Sequence, residues 1–266
     1  MAASRVSGKV LPTMETVMHV IDEQLLRRFD VPGPRYTSYP TADRFVEAFG
    51  EADYIQALEQ RRAGSLALPL SIYIHVPFCE SVCYYCACNK VITKHHSKSA
   101  EYLRYLAREL DLHVQHFGRG HHVSQLHIGG GTPTFLSDAE LSDLMHTVRR
   151  HFNLVPGGEY SIEVDPRTVT EQRLEHLHQL GFNRLSFGVQ DFDPDVQAAV
   201  NRQQSEEQIY ALVAAAREAK FKSVSVDLIY GLPLQTVASF DVTLSKIIAL
   251  RPDRIAAYSY AHLPEL

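Results

Sequence analysis

The sequence of 266 residues lacks three features that would each assign it to a class of proteins. No apolar run approaches the ~18 residues of a membrane-spanning helix, and residues 1–20 contain no continuous apolar signal core. There is no long basic run to neutralise phosphates, and the net charge is −5. We therefore expect no membrane span, no nucleic-acid partner and a disordered N-terminal tail.

Cysteine is scarce, and all four copies lie within ten residues, at Cys79, Cys83, Cys86 and Cys88. Secretory disulfide frameworks spread their cysteines to close long loops in small domains that lack a core. This chain is long enough, and at 45% hydrophobic residues apolar enough, to bury a large core without such bridges. We therefore expect free thiols in a reducing, cytoplasmic setting, where they can bind a metal.

An alternation of strands and helices is present from residue 70 onward. Apolar segments predict strands at 70–76, 123–128, 159–164, 184–189, 223–231 and 254–260. Helical spacing and capping signals predict helices at 98–117, from Ser137 to about His151, and at 170–181, 205–220 and 236–250. Six βα units, the last without its helix, indicate an α/β fold with parallel strands, as a barrel or an open doubly wound sheet.

Residues 1–69 precede these repeats and are expected to form an N-terminal extension with extended and helical parts. The proline-rich segment 30–45 predicts extended backbone and a lid over the barrel mouth, and a short helix is expected over 46–62. The chain stops six residues past the sixth expected strand, so we expect the last helix of the 70–266 barrel to be absent.

Polar and glycine-rich residues follow the expected strands, at the edge where parallel sheets bind ligands. The cysteines follow the first strand, Gly129–Gly131 the second and the EVDP segment the third. This clustering predicts one large site. The adjacent histidines of KHHSK and GRGHHV are instead expected to be solvated surface residues without a role.

Three chemistries are open to the four cysteines. Structural zinc usually takes two separated pairs of ligands, whereas one loop would supply all of them here. Cys83 and Cys86 could form a redox dithiol, which leaves two cysteines unexplained. Three thiolates in a tight loop can instead bind three irons of a 4Fe-4S cluster and leave one iron open to a non-protein ligand, which is the interpretation that we favour.

The C-x3-C-x2-C spacing of Cys79, Cys83 and Cys86 resembles that of the radical S-adenosylmethionine enzymes. Further segments occur in order, namely GPRYTSYPTA, IYIHVPFC, CYYCACNK, GGGTPT, IEVDP, SFGVQDF, NRQQ, VDLIYGLP and YAHLP. From about Asp30 to Pro264 the chain resembles the oxygen-independent coproporphyrinogen III oxidase (dehydrogenase) family of haem biosynthesis. The alternative is a haem-binding chaperone on the same barrel, from which GPRYTSYPTA and Cys88 separate the chain.

The resemblance implies a partial (β/α)6 barrel of the radical SAM type, without the C-terminal domain of the family. It implies that Cys79, Cys83 and Cys86 bind the cluster, that S-adenosylmethionine chelates the open iron, and that Cys88 is not a ligand. Two molecules of S-adenosylmethionine are expected. The expected contacts of the first are Tyr73, Tyr85, Gly130, Gly131, Thr132 and Glu163, and those of the second are Gln190, Arg202, Asp227 and Ala261.

Several of these residues have plainer interpretations. The glycines could form a flexible turn, Tyr73 could pack in the barrel, and Arg202 with Asp227 could be a structural ion pair. Arg35 is a candidate partner for a substrate propionate, because arginine binds carboxylates bidentately.

The implied reaction is the oxidative decarboxylation of two propionate groups of coproporphyrinogen III to vinyl groups, which gives protoporphyrinogen IX. A 5′-deoxyadenosyl radical would take a hydrogen from the β-carbon of each propionate. The resemblance also implies a low-potential electron donor, such as a flavodoxin or ferredoxin, and a monomeric enzyme.

Overall fold

The computed structural model describes residues 22–31, 40–63 and 68–262. The chain divides into two compact units, Met1–Asp53 and Tyr54–Leu266. The expected tail at 1–20 and Arg35 lie outside the described residues, as does most of the GPRYTSYPTA segment. The boundary that we place between residues 69 and 70 stays a prediction.

The first unit contains a short helix that the sequence patterns did not predict. Helix α1, Glu23–Phe29, begins after Asp22, whose carboxylate accepts from the backbone N–H groups of Gln24 and Leu25. Such a cap satisfies donors that a helix start leaves free. Helix α2, Glu51–Ala63, begins later than the helix expected over 46–62, because the Asp53 carboxylate binds the Gly50 N–H at 2.9 Å and sets the start there.

The second unit is built on eight strands. They are β1 (Leu70–Val76), β2 (Phe78–Cys79), β3 (Val91–Ile92), β4 (His122–Gly130), β5 (Asn153–Val164), β6 (Arg184–Gln190), β7 (Ser223–Tyr230) and β8 (Arg254–Ser259). The remaining helices are α3 (Ser97–Phe117), α4 (Asp138–His151), α5 (Glu171–Gln179), α6 (Pro194–Ala199), α7 (Glu206–Glu218) and α8 (Val237–Leu250).

Six strands form one parallel sheet in the order β1-β4-β5-β6-β7-β8. A doubly wound sheet reverses its strand order at a switch point, whereas this order follows the chain without a reversal. The sheet is therefore the partial (β/α)6 barrel, and the open-sheet alternative is wrong. Within the described ranges, β1 and β8 are its edges.

The core lies between the central strands and the helices that cover them. Leu126 on β4, Ile162 on β5 and Phe187 on β6 are among the largest fully buried side chains. They pack in one cluster with Leu110 of α3 and Met145 of α4. The capping box of Ser137 and Glu140 at the start of α4 is confirmed. None of the described helices is both long and apolar enough to cross a bilayer.

Three local features differ from the expected pattern. The third strand of the sheet, β5, starts at Asn153 rather than 159, and its pairing with β4 shifts register before Glu159. Glycines at 157 and 158 accommodate this irregular part, Gly157 with φ +81°. Helix α6 and the pair β2–β3 were missed because they are too short to show a period.

Candidate cofactor site

The cysteine loop, residues 80–90, lies at the carboxyl end of β1 and is fixed from two sides. β2 and β3 pair beside it, and the Thr93 N–H donates to the Cys79 carbonyl at 2.8 Å. Further along the loop, the Tyr84 N–H donates to the Val200 carbonyl at 3.0 Å. The loop therefore links β1 to the segment that follows α6.

Cys83 is the buried thiol, and two guanidinium groups face its sulfur. Arg167 Nη2 lies 3.8 Å and Arg202 Nη1 3.6 Å from Cys83 Sγ. Asp165 joins the two arginines, with Oδ2 2.7 Å from Arg167 Nη2 and Oδ1 3.4 Å from Arg202 Nη2. Burial would raise the pKa of Asp165, but the hydrogen bonds from Arg167 outweigh it and lower that pKa. Two cations and one anion thus leave a net positive charge beside Cys83.

Cys79 lies against the glycine segment after β4. Its Sγ is 3.4 Å from the Thr132 hydroxyl. Burial raises the pKa of Cys79, and the Thr132 contact opposes the rise. A Cβ atom on Gly131 would lie 2.8 Å from Cys79 Sγ and 2.8 Å from the Pro77 carbonyl oxygen. Only glycine fits there, so the interpretation of Gly131 as part of a merely flexible turn is wrong.

The Cys86 and Cys88 side chains are close enough to shift each other's pKa. A side-chain hydrogen bond from Cys88 is the largest cause that lowers the pKa of Cys86 to about 6, with burial opposing. The same contact raises the pKa of Cys88. The Lys90 ammonium donates to the Cys86 carbonyl at 2.6 Å. Cys86 is therefore the more acidic thiol of the pair, and Cys88 is the exposed one. That Cys86 binds the cluster and Cys88 does not stays a prediction.

All four cysteines are free, which excludes a disulfide knot. Within the described ranges, no three Cys, His, Asp or Glu side chains converge closely enough to hold one metal ion. A structural zinc ion requires such convergence. A cubane does not, since each thiolate binds a different iron and the sulfurs stand apart. The donor set, three thiols beside excess positive charge, fits a 4Fe-4S cluster.

Glu163, at the end of β5, lies in a polar group on neighbouring strands. Its carboxylate accepts from the Gly130 N–H at 3.2 Å and from His127 Nε2 at 3.1 Å. His127 Nδ1 then accepts from the Ser161 hydroxyl at 2.6 Å. A Cβ atom on Gly129 would lie 2.8 Å from Glu163 Oε1. The carboxylate can therefore occupy this position only because residue 129 has no side chain.

Tyr73 and two histidines extend this group across β1. Tyr73 stacks on His127 with ring centroids 5.7 Å apart and donates its hydroxyl to His75 Nδ1 at 2.9 Å. His75 Nε2 donates to the Asn89 carbonyl at 2.7 Å. Tyr73 is 57% exposed and faces the site, so its interpretation as barrel packing is wrong.

Sequence reasoning missed both histidines, although a signal was available. His75 shares a strand face with Tyr73 because it lies two residues further along β1. His127 is the register partner of Tyr73 on β4, which the sequence alone does not specify.

A second polar group follows β6 and β7. Gln190 has φ +67°, and its Oε1 is buried without a hydrogen-bond partner. Arg202 donates from Nη2 to the Gly188 carbonyl at 2.8 Å, while its buried Nε has no partner. Unpaired buried polar atoms are rare, and these two are free to pair with a water molecule or a ligand.

Asp227 faces the same space from β7 and accepts from the Ser186 hydroxyl at 3.1 Å. Burial raises its pKa to about 6, the Ser186 hydrogen bond opposes the rise, and Glu163 adds to it. The interpretation of Arg202 and Asp227 as a structural ion pair is wrong, because the carboxylate that pairs with Arg202 is that of Asp165.

The other predicted contact residues lie in different environments, some buried and one exposed. Tyr85 packs against an apolar cluster of Val196, Val200, Ile229 and Leu232, and burial raises its pKa. Thr132 is buried, Gly130 has φ +123°, and Ala261 lies exposed just past β8. The structure thus places Tyr73, Gly130, Gly131, Thr132 and Glu163 along the ends of β1, β4 and β5. Their ligand roles, like those of Tyr85, Gln190, Arg202, Asp227 and Ala261, stay predictions.

Comparison with known proteins gives consistent matches. The model of the Radical SAM superfamily matches residues 73–247. The chain is 53% identical over 247 residues to the oxygen-independent coproporphyrinogen III oxidase of Pseudomonas aeruginosa, covering 92% of this chain and 53% of that protein. It is 49% identical over 245 residues to the Escherichia coli K12 protein of the same name, covering 92% and 52%.

A solved structure of coproporphyrinogen III oxidase from Escherichia coli, described as a radical SAM enzyme, superposes with a TM-score of 0.82 at 48% identity. The match covers 92% of this chain and 54% of that one. The chain thus spans about half the length of the curated relatives that it matches.

Proposed function

The chain belongs to the radical SAM superfamily, and on that premise we propose that it carries the barrel of an oxygen-independent coproporphyrinogen III oxidase. The enzyme would convert two propionate groups of coproporphyrinogen III to vinyl groups in haem biosynthesis and release protoporphyrinogen IX. The observation that carries this proposal is the identity of 49–53% over 92% of the chain to proteins of that name.

Cys79, Cys83 and Cys86 would hold a 4Fe-4S cluster whose fourth iron the protein does not bind. When bound, the cluster and S-adenosylmethionine supply a 5′-deoxyadenosyl radical, which is the hydrogen acceptor of the reaction. A cluster with three thiolate ligands has a net negative charge, and Arg167 and Arg202 beside Cys83 would offset it. The Cys88 thiol would stay free.

Glu163 would receive the ammonium group of a first S-adenosylmethionine. Its two observed hydrogen bonds hold the carboxylate in place and leave lone pairs for a cation. Gly130 and Gly131 let the ligand approach the backbone, and Thr132, Tyr73 and Tyr85 would complete the contacts.

Gln190, Arg202, Asp227 and Ala261 would contact a second S-adenosylmethionine. The unpaired Gln190 Oε1 and Arg202 Nε give this space an acceptor and a donor. The pKa of Asp227 is raised in the protein without ligand. A cationic sulfonium or ammonium group bound beside it would lower that pKa and favour the carboxylate form. Arg35 in the segment 30–45 would bind a propionate of the substrate.

We further propose that a low-potential electron donor of the flavodoxin or ferredoxin type serves the site. The enzyme would act as a monomer in the cytoplasm. The need for a donor follows from the proposed reaction, which consumes one electron for each S-adenosylmethionine cleaved.

The test uses the full-length protein, purified and reconstituted without oxygen. S-adenosylmethionine and a reductant are added with and without coproporphyrinogen III, and 5′-deoxyadenosine, carbon dioxide and vinyl products are measured. We expect all three to rise together when substrate is present. Absence of 5′-deoxyadenosine from protein loaded with four irons would refute the proposal, and haem binding without decarboxylation would favour the chaperone.

A further inference from the structure

The segment directly after the cysteine loop is basic, although the chain as a whole is acidic. Residues 91–98 hold two lysines and two histidines and no aspartate or glutamate, while the net charge of the chain is −5. We propose that residues 91–98, here called the basic edge, are the docking surface for a small acidic one-electron carrier protein. The inference rests on the proposed function, because a carrier is needed only if the site is reduced.

The basic edge lies next to a predicted cluster ligand. Ile92 of β3 is the register partner of Cys79 on β2, so one strand spacing of about 4.8 Å separates the two backbones. The Thr93 N–H to Cys79 carbonyl hydrogen bond fixes this distance. A carrier seated on the edge would therefore stand close to a ligand of the cluster that would accept the electron.

The lysines of the edge are available to a partner. Lys94 and Lys98 are exposed, and neither forms an ion pair with any residue of the described ranges. His96 pairs with Glu80 at 3.4 Å and stacks on Phe135 with centroids 4.2 Å apart. The histidine thus anchors the segment to the barrel and leaves the two ammonium groups free.

Apolar side chains lie beside these charges. Val91 is 39% and Ile92 45% exposed on the edge. An apolar patch flanked by charge is the usual composition of a transient interface. Exposed lysines around it would steer an acidic partner and raise its association rate.

A cavity of about 520 Å³ opens beside the edge and extends toward Arg167, which lies next to the buried Cys83 thiol. Glu80 and His96 line one part of it, and Arg167 lines another. Arg167 also lies 3.8 Å from Cys83 Sγ. A single side chain therefore separates this cavity from the buried thiol, which gives the docking face a second close approach to the cluster ligands.

The test is a double charge reversal, Lys94→Glu with Lys98→Glu, in the full-length protein with its cluster reconstituted. The matched control is Arg108→Glu with Lys222→Glu, which changes the net charge equally. Arg108 is exposed in the middle of α3, and the exposed Lys222 directly precedes β7, at the opposite end of the sheet. The neutral pair Lys94→Gln with Lys98→Gln is an intermediate step.

The readout is the rate of cluster reduction by flavodoxin hydroquinone, an acidic flavoprotein, followed by stopped-flow absorbance. At low ionic strength we expect the reversal to slow it at least about tenfold and the neutral pair to slow it less. The difference should shrink at high salt. Reduction by photoreduced deazaflavin, a small reductant that needs no docking surface, should not change.

Reduction of the Lys94/Lys98 reversal by flavodoxin at the wild-type rate would overturn the proposal, as would equal slowing of the control. These outcomes are separable from failure of the proposed function. If deazaflavin reduces the cluster but no 5′-deoxyadenosine forms in wild-type protein, the reaction is wrong whatever the carrier rates are.

Discussion

Replacement of Asp227 by asparagine should stabilise the protein without ligand, and the gain should depend on pH. Asp227 is a half-buried carboxylate, and burial is the main reason that its pKa stands at about 6. Asparagine has nearly the same shape and can still accept the hydrogen bond from Ser186. The substitution therefore removes a charge that the fold disfavours and changes little else.

The size of the effect follows from the pKa. The difference between about 6 and the usual 3.8 for Asp227 corresponds to about 3 kcal/mol at neutral pH. Because the side chain is only half-buried, solvent reduces this to about 1–2 kcal/mol in the free energy of unfolding. For a domain of this size, that is a rise in Tm of about 2–8 °C.

The raised pKa of Asp227 sets the direction in which stability changes with pH. The folded state holds the proton of Asp227 more tightly than the unfolded state, so its stabilising contribution is full below about pH 4 and is lost as pH rises through about 6. Asp227→Asn should thus match wild type near pH 4 and exceed it at pH 7. Thermal melts from pH 4 to pH 8 measure this, with the exposed Asp241→Asn as control. A lower Tm for Asp227→Asn at pH 7, or a gain that does not vary with pH, would refute the reasoning.

Three further substitutions test other parts of the site. Gly131→Ala should destabilise the protein by about 1–3 kcal/mol and reduce iron loading, because the added Cβ would meet Cys79 Sγ. In the control Gly157→Ala the added Cβ meets nothing within 4 Å, so only stability should change. Equal iron content in the two variants would contradict this. Arg167→Met should retain the cluster and make its midpoint potential more negative, because a positive charge next to Cys83 is lost. An EPR-monitored redox titration measures this potential. An unchanged potential would count against an electrostatic effect of Arg167 on the cluster. Glu163→Gln should raise the calorimetric Kd for S-adenosylmethionine about tenfold, and an unchanged Kd would remove Glu163 from the binding site.

The strand pattern predicted most of the fold, and the cysteine spacing predicted where the candidate site lies. Apolar runs identified the six strands of the sheet, and Ser137 with Glu140 identified the start of α4, because these signals are local in sequence. Helix α6 was not predicted, because six residues are too few to show a helical period.

The missed parts of the site depend on long-range pairing. An ion pair of Arg202 with Asp227 was the plainer interpretation of these residues, but Arg202 pairs with Asp165, 37 residues earlier in the chain. His127 reaches Glu163 only because the register of β4 against β5 brings the two side chains together. Strand faces can be inferred from alternation, whereas register and side-chain partners are set by packing of the whole barrel.

Iron content in the four single cysteine-to-serine variants tests the central claim most directly. The variants of Cys79, Cys83 and Cys86 and that of Cys88 are reconstituted side by side without oxygen, and iron and sulfide per chain are measured with the EPR signal of the reduced protein. We predict that the first three lose the 4Fe-4S cluster and that Cys88→Ser retains about four irons per chain. Loss of the cluster from Cys88→Ser, or its retention in any of the other three variants, would contradict the assignment of three ligands and one free thiol.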